Sequence, residues 1–241
     1  MVVSNKVYGI SHDIILNRNF LENFIYISKE LNYYYSEDFS PHFYIDLALT
    51  GFISIWYKEN ECEYLLPEMQ FDYAVLEFTD LHISKKVQKL LKSPLKYHFF
   101  IDECFEEILE ILGKYHDNSW IKGKYCELLR NLKTTEYKKE KFQLTSFGIL
   151  DKDTNKVVAG EIGYITHGKI YTSLSGFSSK EKKYNNYGNL QLVLLAQYLE
   201  KEHFLFWNLG HPYMDYKLKL GAKILSREEF LKKFLIETME I

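Results

Sequence analysis

The spacing of apolar residues changes near residue 141, and this change constrains the fold more than any other feature of the sequence. From residue 142 to residue 150, apolar and polar side chains alternate as they do in a β-strand. Segments 157–165 and 169–177 are two further strands, and the turn-forming residues 151–155 and 167–168 separate the three. The sequence therefore predicts a meander of three antiparallel strands.

A helix, a strand and a second helix are predicted to follow the meander. Residues 190–199 form an apolar helix, residues 204–209 a short buried strand, and residues 215–220 a helix that ends at Gly221. Strands followed by helix, strand and helix belong to the α+β class. This order of elements is that of the GCN5-related acyltransferase (GNAT) fold, so we expect a GNAT-like domain.

The chain before residue 141 is predicted to be mainly helical. Apolar residues recur at helical spacing between residues 20 and 31, and the Ser40–Pro41 pair is typical of a helix start. Residues 84–91 form a short helix, and Asp102 and Ser119 are predicted to cap two more. The length of 241 residues is enough for one large domain or two modest ones.

The first predicted strand, residues 73–78, sets the expected domain boundary. We expect a small N-terminal domain, residues 1–71, followed by a larger GNAT-like domain, residues 72–241.

Charge, cysteine content and hydropathy exclude several classes of protein. The 30 Lys and Arg residues nearly balance the 33 Asp and Glu residues, which excludes a strongly basic nucleic-acid coat, so we expect no DNA partner. No apolar stretch approaches the ~18 residues of a membrane span, and residues 1–10 lack the pattern of a secretory signal. The three widely spaced cysteines favour a reducing compartment over a disulfide framework or a zinc site. We therefore expect a cytoplasmic protein without a metal or a membrane partner.

Aromatic residues make up 17% of the chain. They could line a pocket that stacks on bases or other rings. Alternatively, their number reflects a biased composition, which is favoured because they are spread along the whole chain.

Short stretches in a fixed order carry a more specific signal. In chain order they are Leu81-His82-Ile83-Ser84, Ser119-Trp120-Ile121, Val158-Ala159-Gly160-Glu161-Ile162-Gly163, Ser173-Leu174-Ser175-Gly176-Phe177-Ser178, Leu220-Gly221-Ala222, and Arg227 before Phe230. With Gly51, Phe52 and Trp56, they resemble the leucyl/phenylalanyl-tRNA–protein transferase family over about residues 35–235. The resemblance implies transfer of an aminoacyl group from tRNA to the N-terminal α-amine of an acceptor protein, which marks that protein for degradation. It implies no cofactor, because aminoacyl-tRNA is the substrate.

The chain departs from this family where catalytic groups are expected. Leu174 stands where the family carries a glutamate, and an Asp-x-Gln pattern is lost near residues 207–211. Asn208 and His211 are the nearest polar substitutes, and His211 is a candidate general base. The alternative is that His211, beside Pro212, only hydrogen-bonds within a loop. Positioning of the amine and the activated ester supplies much of the rate in either case.

Glu161 is a second departure, because the family has a hydrophobic residue at this position that lines the pocket for Leu or Phe. A buried carboxylate is a natural partner for a guanidinium or an ammonium group. This predicts transfer of Arg or Lys instead of Leu or Phe. The alternative is that Glu161 points to solvent or pairs with Lys169.

The remaining site predictions also follow from the resemblance. Candidate substrate-binding residues are Trp56, Trp120, Glu161, Tyr171, Ser173, Ser175, Gly176 and Phe177, and candidate tRNA-binding residues are Lys85, Lys89 and Lys92. The two tryptophans match positions beside the terminal adenosine of tRNA, although core packing would explain an aromatic residue equally well. The three lysines share a helical face that could meet phosphates, or could simply be solvated.

Two rival functions are retained. The first is an acyl-CoA-dependent GNAT N-acyltransferase, although residues 186–189 contain too little glycine to bind a pyrophosphate well. The second is a catalytically silent module that binds tRNA ends or protein N-termini, which the Leu174 substitution supports.

Overall fold

The computed structural model of the chain describes residues 7–115 and 119–236. Its strands are β1 (Tyr8–Gly9), β2 (Tyr34–Tyr35), β3 (Ile53–Glu59), β4 (Cys62–Glu68), β5 (Asp72–Leu76), β6 (Tyr97–Ile101), β7 (Phe142–Asp151), β8 (Lys156–Thr166), β9 (Ile170–Ser178), β10 (Phe206–Asn208) and β11 (Lys223–Ser226). Its α-helices are α1 (His12–Leu16), α2 (Arg18–Phe20), α3 (Pro41–Leu49), α4 (Lys85–Leu91), α5 (Phe105–Tyr115), α6 (Gly123–Thr134), α7 (Tyr187–Lys201), α8 (Asp215–Leu220) and α9 (Arg227–Ile236). None of the helices in these two ranges is long and apolar enough to cross a membrane.

The chain divides into two compact units. The first comprises the described residues of Met1–Tyr73, Trp120–Lys139 and Leu225–Ile241, and the second those of Ala74–Ser119 and Glu140–Ile224. The domains expected from the sequence, residues 1–71 and 72–241, stay a prediction about folding.

The first unit contains helix α3 and the hairpin β3–β4. Helix α3 begins as predicted, because the Ser40 side chain accepts a hydrogen bond from the Phe43 amide and Pro41 occupies the first turn. The hairpin was not expected. Its turn, Asn60–Glu61, places both residues at positive φ, as a type I′ turn requires, but it lacks the glycine that usually marks such a turn.

Arg227 is a buried polar anchor of the first unit. Its guanidinium donates to the backbone carbonyl oxygens of Ile25, Ser28, Leu31, Met69 and Gln70. The Arg227 side chain also lies over the Phe71 ring, 4.6 Å from the ring centroid. One side chain thereby satisfies carbonyl groups from two separate segments, which would otherwise be costly to bury.

The second unit is built on a seven-stranded mixed sheet with the order β11-β5-β10-β9-β8-β7-β6. The meander β7–β8–β9 is antiparallel and matches the sequence-based strands within two residues. Helix α7 then crosses over to β10, which pairs parallel to β9. The predicted α+β class is therefore confirmed.

Helices α5 and α7 cover opposite faces of the meander. Neighbouring residues in a strand point to opposite faces of the sheet. A side chain at Gly160 would contact Ile108 of α5, whereas the next residue, Glu161, contacts Gln191 of α7. On the α7 face, apolar residues including Phe147, Leu190 and Trp207 form one buried core. This packing places Glu161 deep in the second unit.

The two predicted helix caps differ in outcome. Asp102 lies at a φ of 58° and its carboxylate accepts a hydrogen bond from the Ser146 amide of β7, while its role as the cap of α5 stays a prediction. The predicted Ser119 cap is wrong, because the Ser119 hydroxyl donates to the Leu112 carbonyl and α6 begins only at Gly123, with Lys122 at its N-cap. Both side chains satisfy distant backbone groups, which local sequence cannot indicate.

The predicted helix at residues 20–31 is also wrong in extent. Helix α2 ends at Phe20 and is followed by a π-helix, Leu21–Ile25, after which helical structure stops. Strand β6 was not predicted, because Tyr97–Ile101 shows no alternation between buried and exposed residues.

Candidate functional site

Strands β9 and β10 pair over a short length and then part. The pairing ends at Thr172 and Asn208, where β10 stops, while β9 continues to Ser178 with β8 as its partner. Side chains bridge the two strands at this point: Trp207 Nε1 donates to Ser173 Oγ at 2.8 Å, and Asn208 Nδ2 donates to Thr172 Oγ1 at 3.4 Å. The end of a parallel pair is a common place for a ligand crevice.

The side chain of Glu161 is at the centre of a polar network beside this point. It is 3% exposed, and its Oε1 accepts hydrogen bonds from Tyr171 Oη and Ser173 Oγ, each at 2.8 Å. Its Oε2 accepts a longer bond, 3.3 Å, from Gln191 Nε2. Three donors, two from strand β9 and one from helix α7, therefore surround one buried carboxyl group.

The hydrogen-bond donors in this network favour the charged form of Glu161. The Trp207 ring nitrogen can only donate, so Ser173 accepts from it and directs its own proton to Glu161. Burial raises the pKa of Glu161 above its ordinary value, and the bonds from Ser173, Tyr171 and Gln191 offset only part of that rise. Each of these bonds favours the charged form of the group.

Gly163 makes room for the Tyr171 ring. A Cβ atom at this position would lie 2.4 Å from Tyr171 Oη and 2.4 Å from the Thr172 carbonyl oxygen. The bare backbone thus lets the phenol lie across β8 and reach Glu161. Burial, together with the charge on Glu161, raises the pKa of Tyr171 well above its ordinary value, so it stays a hydrogen-bond donor.

A β-bulge at Leu174 divides the predicted substrate-binding residues of β9. Gly163 pairs with Ser173 and Ile162 with Ser175, which leaves Leu174 as the extra residue. By this register Tyr171, Ser173 and Gly176 share the α7 face with Glu161, whereas Ser175 and Phe177 are on the α5 face. Consistently, the Phe177 ring is 6.0 Å from that of Tyr115 in α5. The binding roles of these residues stay a prediction.

The two candidate catalytic residues flank a tight segment after β10. Asn208 is 2% exposed, and its Oδ1 accepts a hydrogen bond from the Gly210 amide at 2.9 Å. Gly210 has a φ of 72°, a conformation that favours glycine. His211 is partly exposed and stacks on Tyr213, with ring centroids 5.3 Å apart. Asn208 thus shapes the backbone that carries His211.

Lys217, on helix α8, binds the backbone of this segment. It is 6% exposed, and its Nζ donates to the carbonyl oxygens of Leu209 at 2.5 Å and His211 at 2.7 Å. Burial lowers the pKa of Lys217 to about 8, and the negative charge of Glu161 opposes that shift. Lys217 therefore contributes a buried positive charge to the same polar region.

The predicted tryptophans both belong to the first unit. Trp56 Nε1 donates to Glu63 Oε2 at 2.7 Å, and the same carboxylate accepts from the Lys124 amide. The Trp120 ring packs edge-on against Tyr125, 5.1 Å between centroids. Both rings are only partly buried, so each retains an accessible surface.

The candidate tRNA-binding lysines are exposed. Lys85 and Lys89 lie on α4 and Lys92 caps its C-terminus, while Val87 of the same helix is buried. His82, just before α4, contacts the Lys219 carbonyl through Nδ1. Within the described ranges, no group of three or more His, Cys, Asp or Glu side chains is arranged to hold a metal ion.

Sequence reasoning missed several members of the polar region. Gln191, Trp207, Lys217 and Gly163 were not among the predicted site residues. Gln191 interrupts a short leucine-rich run, and a lone polar residue in such a run signals a buried hydrogen-bond partner. Lys217 has no such signal, because Lys219 and Asp215 are polar neighbours. No local pattern distinguishes Gly163 from other strand glycines.

Several solved structures are similar to this chain. The C-terminal domain described as that of a lysylphosphatidylglycerol synthetase from Agrobacterium fabrum is 14% identical, with 78% of this chain and 64% of that chain covered and a TM-score of 0.44. L-PGS from Bacillus licheniformis is 11% identical, with coverages of 79% and 66% and a TM-score of 0.43. FemX is 9% identical, with coverages of 90% and 76% and a TM-score of 0.48.

This chain spans less than two thirds of the length of either of the first two structures. Because all three TM-scores are below 0.5, these likenesses carry no argument about fold or function. No curated protein matches the chain in sequence.

The sequence pattern of one protein family, described as leucyl/phenylalanyl-tRNA protein transferase, matches residues 75–235. The matched region contains Glu161, the parting of β9 and β10, and the segment held by Lys217. It is well over half of the 241-residue chain. The chain therefore belongs to the leucyl/phenylalanyl-tRNA protein transferase family of aminoacyl-tRNA-dependent transferases.

Proposed function

We propose that this chain transfers an amino acid from aminoacyl-tRNA to the N-terminal α-amine of an acceptor protein, and that the new N-terminal residue is a degradation signal. The observation that carries the proposal is the family match over residues 75–235, which includes the complete polar region described above. A cytoplasmic location, where charged tRNA and acceptor proteins meet, is part of the proposal.

The reaction needs little chemical assistance from the protein. The uncharged α-amine attacks the ester carbonyl carbon, a C–N bond forms, and the C–O bond to the terminal ribose of tRNA breaks. The amine loses a proton, and the released ribose oxygen gains one. His211 is our candidate for accepting the amine proton, and Asn208 supports it by shaping the 208–210 backbone. Orientation of two bound substrates supplies much of the rate.

We further propose that the second unit has a GNAT-like fold, accompanied by a small N-terminal domain. The support is topological: an antiparallel meander, a crossover helix and then a parallel strand, with the strands parting after Thr172 and Asn208. In the proposal, this opening takes the aminoacyl end of tRNA in place of acyl-CoA. The start of α7 supports this assignment, because Asn186 precedes it in a left-handed conformation without a glycine-rich loop.

The identity of the transferred residue depends on Glu161. The predicted transfer of Arg or Lys requires a carboxylate that the substrate can reach. Glu161 is 3% exposed and already accepts three hydrogen bonds from the chain itself. This arrangement favours an uncharged residue, Leu or Phe, and the assay below tests both alternatives.

Contacts with tRNA are proposed at two places. Lys85, Lys89 and Lys92 would meet backbone phosphates, and the partly exposed rings of Trp56 and Trp120 would stack near the terminal adenosine. Changing the three lysines together to alanine should weaken tRNA binding and reduce its salt dependence. A matched triple change of Lys152, Lys156 and Lys169, which are also exposed, should leave both unchanged.

A transfer assay tests the function directly. The chain is incubated with tRNA carrying labelled Leu, Phe, Arg or Lys and with peptides that differ in their N-terminal residue. We expect label on peptides with a free α-amine and none on N-acetylated peptides. The Glu161→Gln variant is run in parallel: a selective loss of Arg and Lys transfer would support a cationic side-chain pocket, and an equal loss for all residues would refute it.

Other outcomes would favour the rivals. Tight acetyl-CoA binding by calorimetry without aminoacyl transfer would replace the proposal with an acyl-CoA-dependent enzyme. Binding of aminoacyl-tRNA without turnover would identify a binding module.

A further inference from the structure

Hydrogen bonds hold the backbone of the loop after β10, and one side chain from another element supplies two of them. The Leu209 amide donates to the Ala74 carbonyl, and the Ala74 amide donates to the Gly210 carbonyl. The Gly210 amide donates to Asn208 Oδ1. The carbonyl oxygens of Leu209 and His211 then both accept from Lys217. The 209–211 segment therefore depends on one ammonium group from another element.

Lys217 is an unusual choice for this task, because burying an ammonium group is costly unless an opposite charge compensates it. A negative charge on Glu161 favours the charged form of the lysine. The same interaction favours the charged form of Glu161. The two residues belong to separate elements, β8 and α8, so their charges link the sheet to the loop.

We propose that Lys217 is a positioning residue of this site, which fixes the 209–211 segment through two carbonyl oxygens. Its role in transfer rests on the proposed function, because it acts there by placing His211 and Asn208. Its hold on the segment does not depend on that function.

The interaction between the charges of Glu161 and Lys217 gives Glu161 a role within the folded chain itself. A carboxylate that balances Lys217 has no need of a cationic substrate, and the hydrogen bonds from Tyr171, Ser173 and Gln191 keep it in place. The interaction also predicts that removing both charges together is less harmful than the two single changes would indicate.

A double-mutant cycle tests the pairing without reference to activity. Urea unfolding is measured for Glu161→Gln, Lys217→Met and the double variant. Each single change leaves one buried charge uncompensated and should raise the unfolding equilibrium constant by at least about tenfold. The double variant should be no less stable than the weaker single variant. Strictly additive effects would overturn the charge pairing.

Amide hydrogen exchange tests the hold on the segment. In Lys217→Met, exchange at the Leu209 and Gly210 amides should accelerate by at least about tenfold relative to amides of β7. Lys217→Arg, which keeps the charge and two donors, should recover part of the protection. Lys219→Met, an exposed change on the same helix, is the matched control and should leave these amides unaffected. Unchanged protection in Lys217→Met would overturn the proposal.

Transfer kinetics separate a positioning role from a purely structural one. Lys217→Met should lower kcat by at least about tenfold with KM for aminoacyl-tRNA within about twofold, and Lys217→Arg should restore part of kcat. An unchanged kcat with loosened amides would refute the role in transfer. If the unmodified chain transfers nothing, the proposed function fails, while the unfolding and exchange results still decide the role of Lys217 in the fold.

Discussion

Replacing Gly163 by alanine should disrupt the polar network more than any equally small change nearby. The new Cβ would lie 2.4 Å from Tyr171 Oη, 2.6 Å from Tyr171 Cζ and 2.4 Å from the Thr172 carbonyl oxygen. The last of these is backbone of the adjacent strand, which cannot rotate away. The tyrosine ring must therefore leave its place over β8, and its hydrogen bond to Glu161 is lost.

The magnitude follows from two contributions. Forcing one methyl group into a packed core costs about 1–3 kcal/mol. Losing a buried hydrogen bond to a charged group costs about 1.5–3 kcal/mol. Gly163→Ala should therefore lower the free energy of unfolding by about 2.5–6 kcal/mol. Tyr171→Phe, which removes only the hydroxyl, should show the second contribution alone.

Urea unfolding of Gly163→Ala, Tyr171→Phe and Gly176→Ala measures these values. Gly176 is the matched control: it is opposite Glu161 in the neighbouring strand, and a Cβ there meets its nearest atoms at 3.3 and 3.4 Å. Its change should alter stability by less than about 1 kcal/mol. If Gly163→Ala is as stable as Gly176→Ala, the inference that Gly163 makes room for Tyr171 is refuted.

Three further predictions concern buried charges. The pKa of Lys217 falls from 10.5 to about 8 on folding, so the unfolded chain binds more protons than the folded chain between these pH values. The contribution of Lys217 to stability should therefore rise by up to about 3 kcal/mol as the pH increases through this window. Urea unfolding of the unmodified chain and of Lys217→Met at pH 7.5 and 9.5 measures the change. Burial alone would raise the pKa of Asp46, but hydrogen bonds from Lys138, His12 and Tyr137 outweigh it and hold that pKa below 3.8. The resulting stabilisation is present above pH 3.8 and is lost as the pH falls through the folded-state pKa. In thermal unfolding, Asp46→Asn should therefore lose more stability at pH 7 than at pH 3. Arg227→Lys leaves at least two of five carbonyl acceptors unpaired and should lower the free energy of unfolding in urea by about 2–4 kcal/mol. The exposed control change Arg18→Lys should alter the free energy of unfolding by less than about 0.5 kcal/mol.

Sequence predicted the parts of the fold that local patterns determine. The meander follows from alternation and from turns such as His167–Gly168, whose residues lie at φ values of 52° and 73°. Helix α3 follows from the Ser40 cap. The hairpin β3–β4 escaped prediction because the turn Asn60–Glu61 contains no glycine, although it adopts the same left-handed geometry. The hydrogen bond between Asp102 and Ser146 escaped prediction because the two residues are 44 positions apart in the chain.

The sequence singled out Glu161 but not the residues that bind it. Glu161 was singled out because the family that the sequence resembles has a hydrophobic residue at this position, and a buried carboxylate there requires a partner. Its actual donors come from β9 and α7, and only the folded arrangement of the sheet brings Gln191 to it. The division of β9 at Leu174 likewise depends on pairing with β8, since a bulge is a property of two strands and has no signature in one.

The bulge and the parting of β9 from β10 are adjacent in the structure, and this has a consequence for the site. Up to Ser173, β9 directs its odd-numbered side chains towards Glu161, and β10 ends beside it at Asn208. Beyond Leu174 the alternation is reversed, so Ser175 leaves the α7 face while the exposed Gly176 takes its place opposite Glu161. A strand without the bulge would put the Ser175 hydroxyl next to the carboxylate and close the opening with a side chain. The extra residue therefore places a glycine beyond the β9–β10 pair, and the proposed substrate could bring its backbone close at that position.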